Sequence, residues 1–170
     1  MKPPPPRPTD EVVARAMERA LQLAREAAQH DEVPVGAVVV GPDGALLAEA
    51  HNRTENLLDP TAHAERLALA AACAACGTTR LPEGSLLAVT LEPCAMCAGA
   101  LVLARAAYLV FGALDPKAGA CGSLRDFVRD PRLNHRVLLL PRVREAECGE
   151  LLTRFFAGKR GPLPGRGPRS

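Results

Sequence analysis

The chain has 170 residues, 48% of them hydrophobic and only 3% aromatic, with a formal charge of +2 at pH 7. That length and apolar fraction suit one domain whose core is packed mainly by Ala, Leu and Val, and so small a net charge does not by itself define a nucleic-acid binder. No stretch of about eighteen apolar residues is free of charge, which excludes a helical membrane span.

MKPPPPRPTD at the start lacks an apolar h-region, so it does not read as a signal peptide. The expected compartment is the cytoplasm, where thiols stay reduced. The six cysteines are then expected to be ligands, catalytic groups or core residues rather than disulfides.

In chain order, residues 1–8 are proline-rich and read as a disordered or polyproline-like arm. Val13, Ala16, Met17, Ala20, Leu21, Ala24, Ala27 and Ala28 recur at helical spacing, which predicts a helix over 10–30. VPVGAVVV (33–40), the turn GPDG (41–44) and ALLAEAH (45–51) predict a hairpin. A second helix is expected to open near Thr61 and run to the Gly77 stop. SLLAVTL (85–91) reads as a buried strand, and Pro93, favoured at a first helical position, opens a helix to about Leu103. A strand at 106–113, the loop LDPKAGACGS (114–123), a short helix at 124–129, a strand at 135–140 and an amphipathic helix at 143–158 follow. Strands alternating with helices predict an α/β layered domain with a mixed sheet. The expected domain spans 9–158, between the arm 1–8 and a flexible basic tail 159–170 that carries Lys159, Arg160, Arg166 and Arg169.

DPTAHAERLALAAA (59–72) would be a complete Ala/Leu helix without His63 and Glu65. A histidine at a helix start is by itself no more than a cap or a surface residue, so it needs a partner. LEPCAMCAGA (91–100) supplies one. Cys94 and Cys97, spaced i and i+3, can grip one metal from one helical turn. The unpaired N–H groups of a helix start favour thiolate, the form that binds zinc. With His63 the ligands number three, leaving one tetrahedral position open, which separates a catalytic zinc from a structural one. Zinc lowers the pKa of water at such a position to about 7. Glu65, two residues from a ligand, could then move the proton without binding the metal. On a regular helix such neighbours point about 200° apart, so the pair must sit at the helix entrance, where Asp59, Pro60 and Thr61 supply capping and proline residues.

H-x-E followed by P-C-x-x-C is the pattern of zinc-dependent nucleobase deaminases. A rival reading uses the same cysteines. Cys73 and Cys76 form a second C-x-x-C, and with Cys94 and Cys97 they fit a four-cysteine structural zinc module with no chemistry. That module leaves His63, Glu65 and Pro93 without roles. Cys121 lies in a loop that could approach substrate, and Cys148 sits on the last helix as a core or surface residue.

EVPVGAVVV, HNR, DPTAHAE, LEPCAMCAGAL, VFGALDPKAGACGSL, NHRV and the terminal FF with basic residues follow one another in the order and spacing of the bacterial tRNA adenosine deaminases. The chain resembles that family, within the cytidine/deoxycytidylate deaminase superfamily, over about residues 10–160. The resemblance implies a three-layer α/β/α fold with a five-stranded mixed sheet, one zinc ion per subunit, and a homodimer that contacts RNA from both subunits. It implies hydrolytic deamination of adenosine to inosine at the wobble position of tRNA, with an arginine tRNA of anticodon ACG as the expected substrate.

By position, His63, Cys94 and Cys97 would bind zinc and Glu65 would be the proton shuttle. Asn52 would contact the target nucleotide in the pocket near Val35 and the Ala64 backbone. Asp115, Lys117, Asn134 and Phe156 would contact neighbouring nucleotides of the anticodon stem-loop. Asn52 and Asp115 also fit plain turn roles, and Phe155 and Phe156, being adjacent, cannot both face a core. The runner-up activity is a small-molecule deaminase of the same fold, acting on guanine, cytosine or a nucleoside.

Overall fold

A computed structural model describes residues 3–160. Ten elements follow in order: α1 (Asp10–Gln29), β1 (Gly36–Val40), β2 (Leu46–His51), α2 (Thr54–Leu57), α3 (Ala64–Ala75), β3 (Leu86–Leu91), α4 (Ala95–Leu103), β4 (Tyr108–Ala113), β5 (Leu138–Leu140) and α5 (Glu145–Lys159). The strands form one mixed sheet in the order β2-β1-β3-β4-β5. β1 runs antiparallel to β2 and β3, whereas β3, β4 and β5 are parallel. The five-stranded mixed sheet expected from the resemblance is therefore present.

Side chains alternate across the sheet and build two cores. Ala37, Val39, Leu87, Val89, Leu109 and Phe111 pack with Ala68 and Leu69 of α3 and with Ala98 and Leu101 of α4. Val38, Val40, Leu86, Ala88, Tyr108 and Val110 pack on the other side with Met17 and Leu21 of α1 and Cys148 of α5. A central strand covered on both faces reads as a continuous apolar run, which is why VPVGAVVV and SLLAVTL carry no polar alternation. Gly36 lets α1 approach the sheet: a Cβ there would lie 2.1 Å from the Ala20 carbonyl oxygen.

Several boundaries move for local reasons. His63 (φ −72°, ψ 149°) is extended and caps α3, so that helix opens at Ala64 rather than near Thr61. Cys94 (φ −73°, ψ 176°) likewise caps α4, and Pro93 stands before the cap instead of at the first helical position. An antiparallel bridge from Cys94 to Gly119, with the Ala120 N–H on the Pro93 carbonyl, keeps this corner extended.

The short helix expected at 124–129 is absent. Gly122 adopts φ +136°, Cys121 bridges Asp126, and the N–H groups of Leu124 and Arg125 both reach the Gly119 carbonyl, so this stretch folds back as a tight turn. β5 covers only the end of the strand expected at 135–140. His135 turns aside to pair its Nε2 with the Ala106 carbonyl at 2.7 Å. The Tyr108 hydroxyl donates to the Pro5 carbonyl at 2.7 Å and ties the proline-rich arm to β4. Residues 161–170 of the expected basic tail lie outside the described residues.

Candidate active site

α3 and α4 begin at the same place, beside the C-terminal end of β3, and their N-termini converge. His63 Nδ1 lies 3.5 Å from Cys94 Sγ and 3.6 Å from Cys97 Sγ. Among the described residues these three form the one group of at least three His, Cys, Asp or Glu ligand atoms within 4.8 Å of one another. Zinc bonds of about 2.1 Å to nitrogen and about 2.3 Å to sulfur in a tetrahedron place N and S about 3.6 Å apart. The donor set and its spacing fit zinc. Hydrogen bonds from Cys97 and His63 hold the Cys94 thiol down to about 3, despite its burial. Cys97 is pushed up by donating that bond and by burial, and a dication at this point would supply the charge that makes both thiolate.

Because His63 is extended and not helical, the 200° divergence expected between residues 63 and 65 does not apply. Both line one cavity of about 200 Å³, with Val33, Val35, Asn52, Thr54, Leu91, Glu92, Cys94, Asp115 and Ala118. Glu65 is 4% exposed, and burial pushes its carboxyl up to about 7, the range in which one group can both take and give a proton near neutral pH. Asp59 supports the helix entrance: its carboxylate accepts from the Thr61 N–H and hydroxyl and pairs with Arg66 at 3.0 Å.

The remaining expected contacts divide clearly. Asn52 is buried and its backbone N–H donates to the Val35 carbonyl, so both reach the cavity wall. Ala64, the first residue of α3, puts its methyl into the core, and its N–H belongs to the helix turn that lacks intrahelical partners. A second cleft of about 480 Å³ adjoins the first through Val33, Leu91 and Asp115, and it is lined by Lys117 and Phe156. Phe156 is 47% exposed and packs edge-on against Phe155. Asp115 also acts as a turn former, its Oδ1 accepting from the N–H groups of Lys117 and Ala118.

Asn134 is not brought to the site. Its carbonyl accepts from Arg105, just past the end of α4 opposite to Cys94 and Cys97, and it lines neither cleft. Cys121 is buried in the core rather than facing substrate. Cys73 and Cys76 sit at the C-terminal end of α3, about 15–20 Å from His63 at 1.5 Å per residue, so the four-cysteine module does not assemble.

Two buried carboxylates escape a reading of residue types. Glu92, 2% exposed, accepts from the N–H groups of Asp115, Cys121 and Ser123 and from the Ser123 hydroxyl, pinning the loop 115–123. Burial alone would raise its pKa, but these hydrogen bonds hold it below the ordinary value. Glu32, 1% exposed, accepts from the Asn52 amide, the Thr54 hydroxyl and the N–H groups of Glu55 and Asn56. The available signal is an acid directly against an apolar run, Glu32 in EVPVG and Glu92 in LEPC, since such residues are rarely buried unless partnered.

Residues 10–113 match the family model of the cytidine and deoxycytidylate deaminase zinc-binding region, so the fold and the donor set define a zinc-dependent deaminase. The tRNA-specific adenosine deaminase of Bacillus subtilis is 48% identical over 140 residues, covering 82% of this chain and 86% of that one. A solved tRNA:A34 deaminase superposes with a TM-score of 0.77 at 47% identity, covering 81% of this chain and 99% of the other. A guanine deaminase from Nitrosomonas europaea superposes with a TM-score of 0.73 at 26% identity, covering 85% of this chain and 84% of its own. The chain belongs to the tRNA-specific adenosine deaminases.

Proposed function

We propose that the protein hydrolytically deaminates adenosine to inosine at the wobble position, 34, of tRNA, cleaving the C–N bond of a cyclic amidine. The observation that carries this reading is the convergence of His63, Cys94 and Cys97 beside a cavity whose wall His63, Cys94 and Glu65 share. Zinc held by His63, Cys94 and Cys97 would supply a Lewis acid that lowers the pKa of a water at its open position. Glu65 takes a proton from the attacking water and passes it to the ring nitrogen of the base, then takes the hydroxyl proton of the adduct and gives it to the leaving amine, which departs as ammonia. Val35 and Asn52 bound the target base, with the Ala64 backbone behind it. The buried walls exclude bulk water from the Glu65 carboxyl.

Asp115, Lys117 and Phe156 hold flanking nucleotides of the anticodon stem-loop in the adjoining cleft, with Phe156 available to stack on an unpaired base. The anticodon loop is already single-stranded, so extruding its base costs less than from a duplex. The substrate is an arginine tRNA with anticodon ACG. The protein works in the cytoplasm as a homodimer contacting RNA from both subunits, which gives Asn134 a route to RNA that its own cavity lacks. Among the described residues no helix is long and apolar enough to cross a membrane. The catalytic domain is 9–158, with residues 1–8 as an N-terminal arm and 159–170 as a basic tail for phosphates.

Incubating the zinc-loaded protein with an ACG-anticodon stem-loop and, separately, with free guanine, cytosine and adenosine tests this. Inosine in the stem-loop with no ammonia from the small molecules is the expected result. Rapid ammonia release from a free base with an unchanged stem-loop would establish a small-molecule deaminase instead.

A further inference from the structure

Glu32 is a buried carboxylate whose hydrogen-bond donors, among the described residues, are all neutral groups. It receives four donors: the Asn56 N–H at 2.7 Å on Oε1, and on Oε2 the Glu55 N–H at 3.2 Å, the Asn52 Nδ2 at 3.3 Å and the Thr54 hydroxyl at 3.4 Å. A carboxylate accepts and does not donate, so only the NH2 end of the Asn52 amide can face it. The Thr54 hydroxyl spends its proton on Glu32, and its lone pairs accept the Asn52 amide at 3.4 Å. The Asn52 NH2 group is thereby turned into the protein, and Oδ1 is the amide atom left for an occupant of the cavity.

From this geometry we infer that Glu32 is a positioning residue for the reaction, locking the Asn52 amide in one orientation so that the pocket presents an acceptor to a hydrogen-bond donor of the target nucleoside. The inference rests on the reading of Asn52 as a substrate contact. Without Glu32, the two faces of an amide differ little in shape, and Asn52 could turn over to present a donor in place of an acceptor. Glu32 does not touch the reacting atoms. It acts through Asn52 and, by capping the first N–H groups of α2, through the short turn that carries Thr54.

Glu32→Gln keeps the size of the side chain but gives it an NH2 group that can pair with either face of Asn52. Steady-state deamination of the ACG stem-loop is measured for wild type, Glu32→Gln, Asn52→Ala and the double variant, with zinc per chain and Tm recorded for each. Losing an oriented hydrogen bond in a buried site corresponds to roughly a tenfold to hundredfold effect. The expected result is a fall of that size in kcat/KM for Glu32→Gln, with zinc unchanged, and no further fall when it is added to Asn52→Ala.

If the two losses multiply, Glu32 acts independently of Asn52 and the inference is overturned. Full activity of Glu32→Gln overturns it as well. Wild-type activity of Asn52→Ala would remove the reading of Asn52 itself, and this one with it. Should Glu32→Gln fail to fold, Thr54→Val carries the same comparison: a loss that disappears in the Asn52→Ala background supports the lock, and one that persists rejects it.

Discussion

His63 Nδ1 and Cys94 Sγ lie 3.5 Å apart although 31 residues separate them, and each residue is the N-cap of its own helix. Two helix N-termini thus aim their unpaired N–H groups and partial positive charge at one point, where thiolates are favoured. Cys97→Ser replaces a soft donor at that point and should cut zinc per chain well below one, with deamination lost in parallel. Cys73→Ala/Cys76→Ala, at the other end of α3, should keep both. Metal analysis of the two purified variants decides the matter.

The loop 115–123 depends on a carboxylate, which gives it an acid limit. Glu92 is held below its ordinary pKa of 4.5 when folded, by the Ser123 hydroxyl and three backbone N–H groups acting against burial. A depressed folded pKa contributes stability above the unfolded value, and that stability is lost as pH falls through the folded value. Proteolytic nicking within 115–123 should therefore be slow at pH 5 and above and accelerate below about pH 4.3. Glu92→Gln should be nicked readily at neutral pH and show little of this acid step.

Gly119 packs against the same carboxylate. A Cβ there would stand 2.4 Å from Glu92 Cδ and 2.5 Å from the Asp115 carbonyl oxygen, one of them backbone. Gly119→Ala should lower stability by roughly 1–3 kcal/mol through overpacking. It should also raise KM for the stem-loop, since Asp115 and Ala118 line the cavity. Thermal unfolding and steady-state kinetics on the same variant check both parts.

Phe156 is exposed enough to be replaced without emptying a core, so the proposed contact with RNA can be tested apart from the chemistry. Stacking on one base is worth roughly 1–3 kcal/mol. Phe156→Ala should raise KM for the stem-loop by about tenfold or more while leaving zinc content and Tm near wild type.

The zinc donors and Glu65 were legible because their signal is local: ligand spacing, capping residues and a proline mark two helix starts. The sheet was legible for the same reason, as β-branched runs bounded by turn residues. What the sequence concealed depends on distant partners. Glu32 meets Asn52 across 20 residues and Glu92 meets Ser123 across 31, and an acid beside an apolar run does not name the distant partner that buries it. The stretch 124–129 looks like a short helix because Leu124, Phe127 and Val128 stand at i, i+3 and i+4, yet the N–H of Phe127 goes to the Ala120 carbonyl across a turn opened by Gly122. Asn134 was expected among the RNA contacts by resemblance, and in the single chain Arg105 holds its backbone at the wrong end of α4.

The most direct measurement is zinc per chain together with inosine formed in the ACG stem-loop, on wild type and Glu65→Ala prepared alike. One zinc in both proteins, with turnover reduced by roughly 10²–10⁴-fold in the variant, is the result expected of a proton carrier that does not bind the metal. Unchanged inosine formation by Glu65→Ala, or its loss only together with the zinc, would contradict the role given to Glu65 and with it the account of the site.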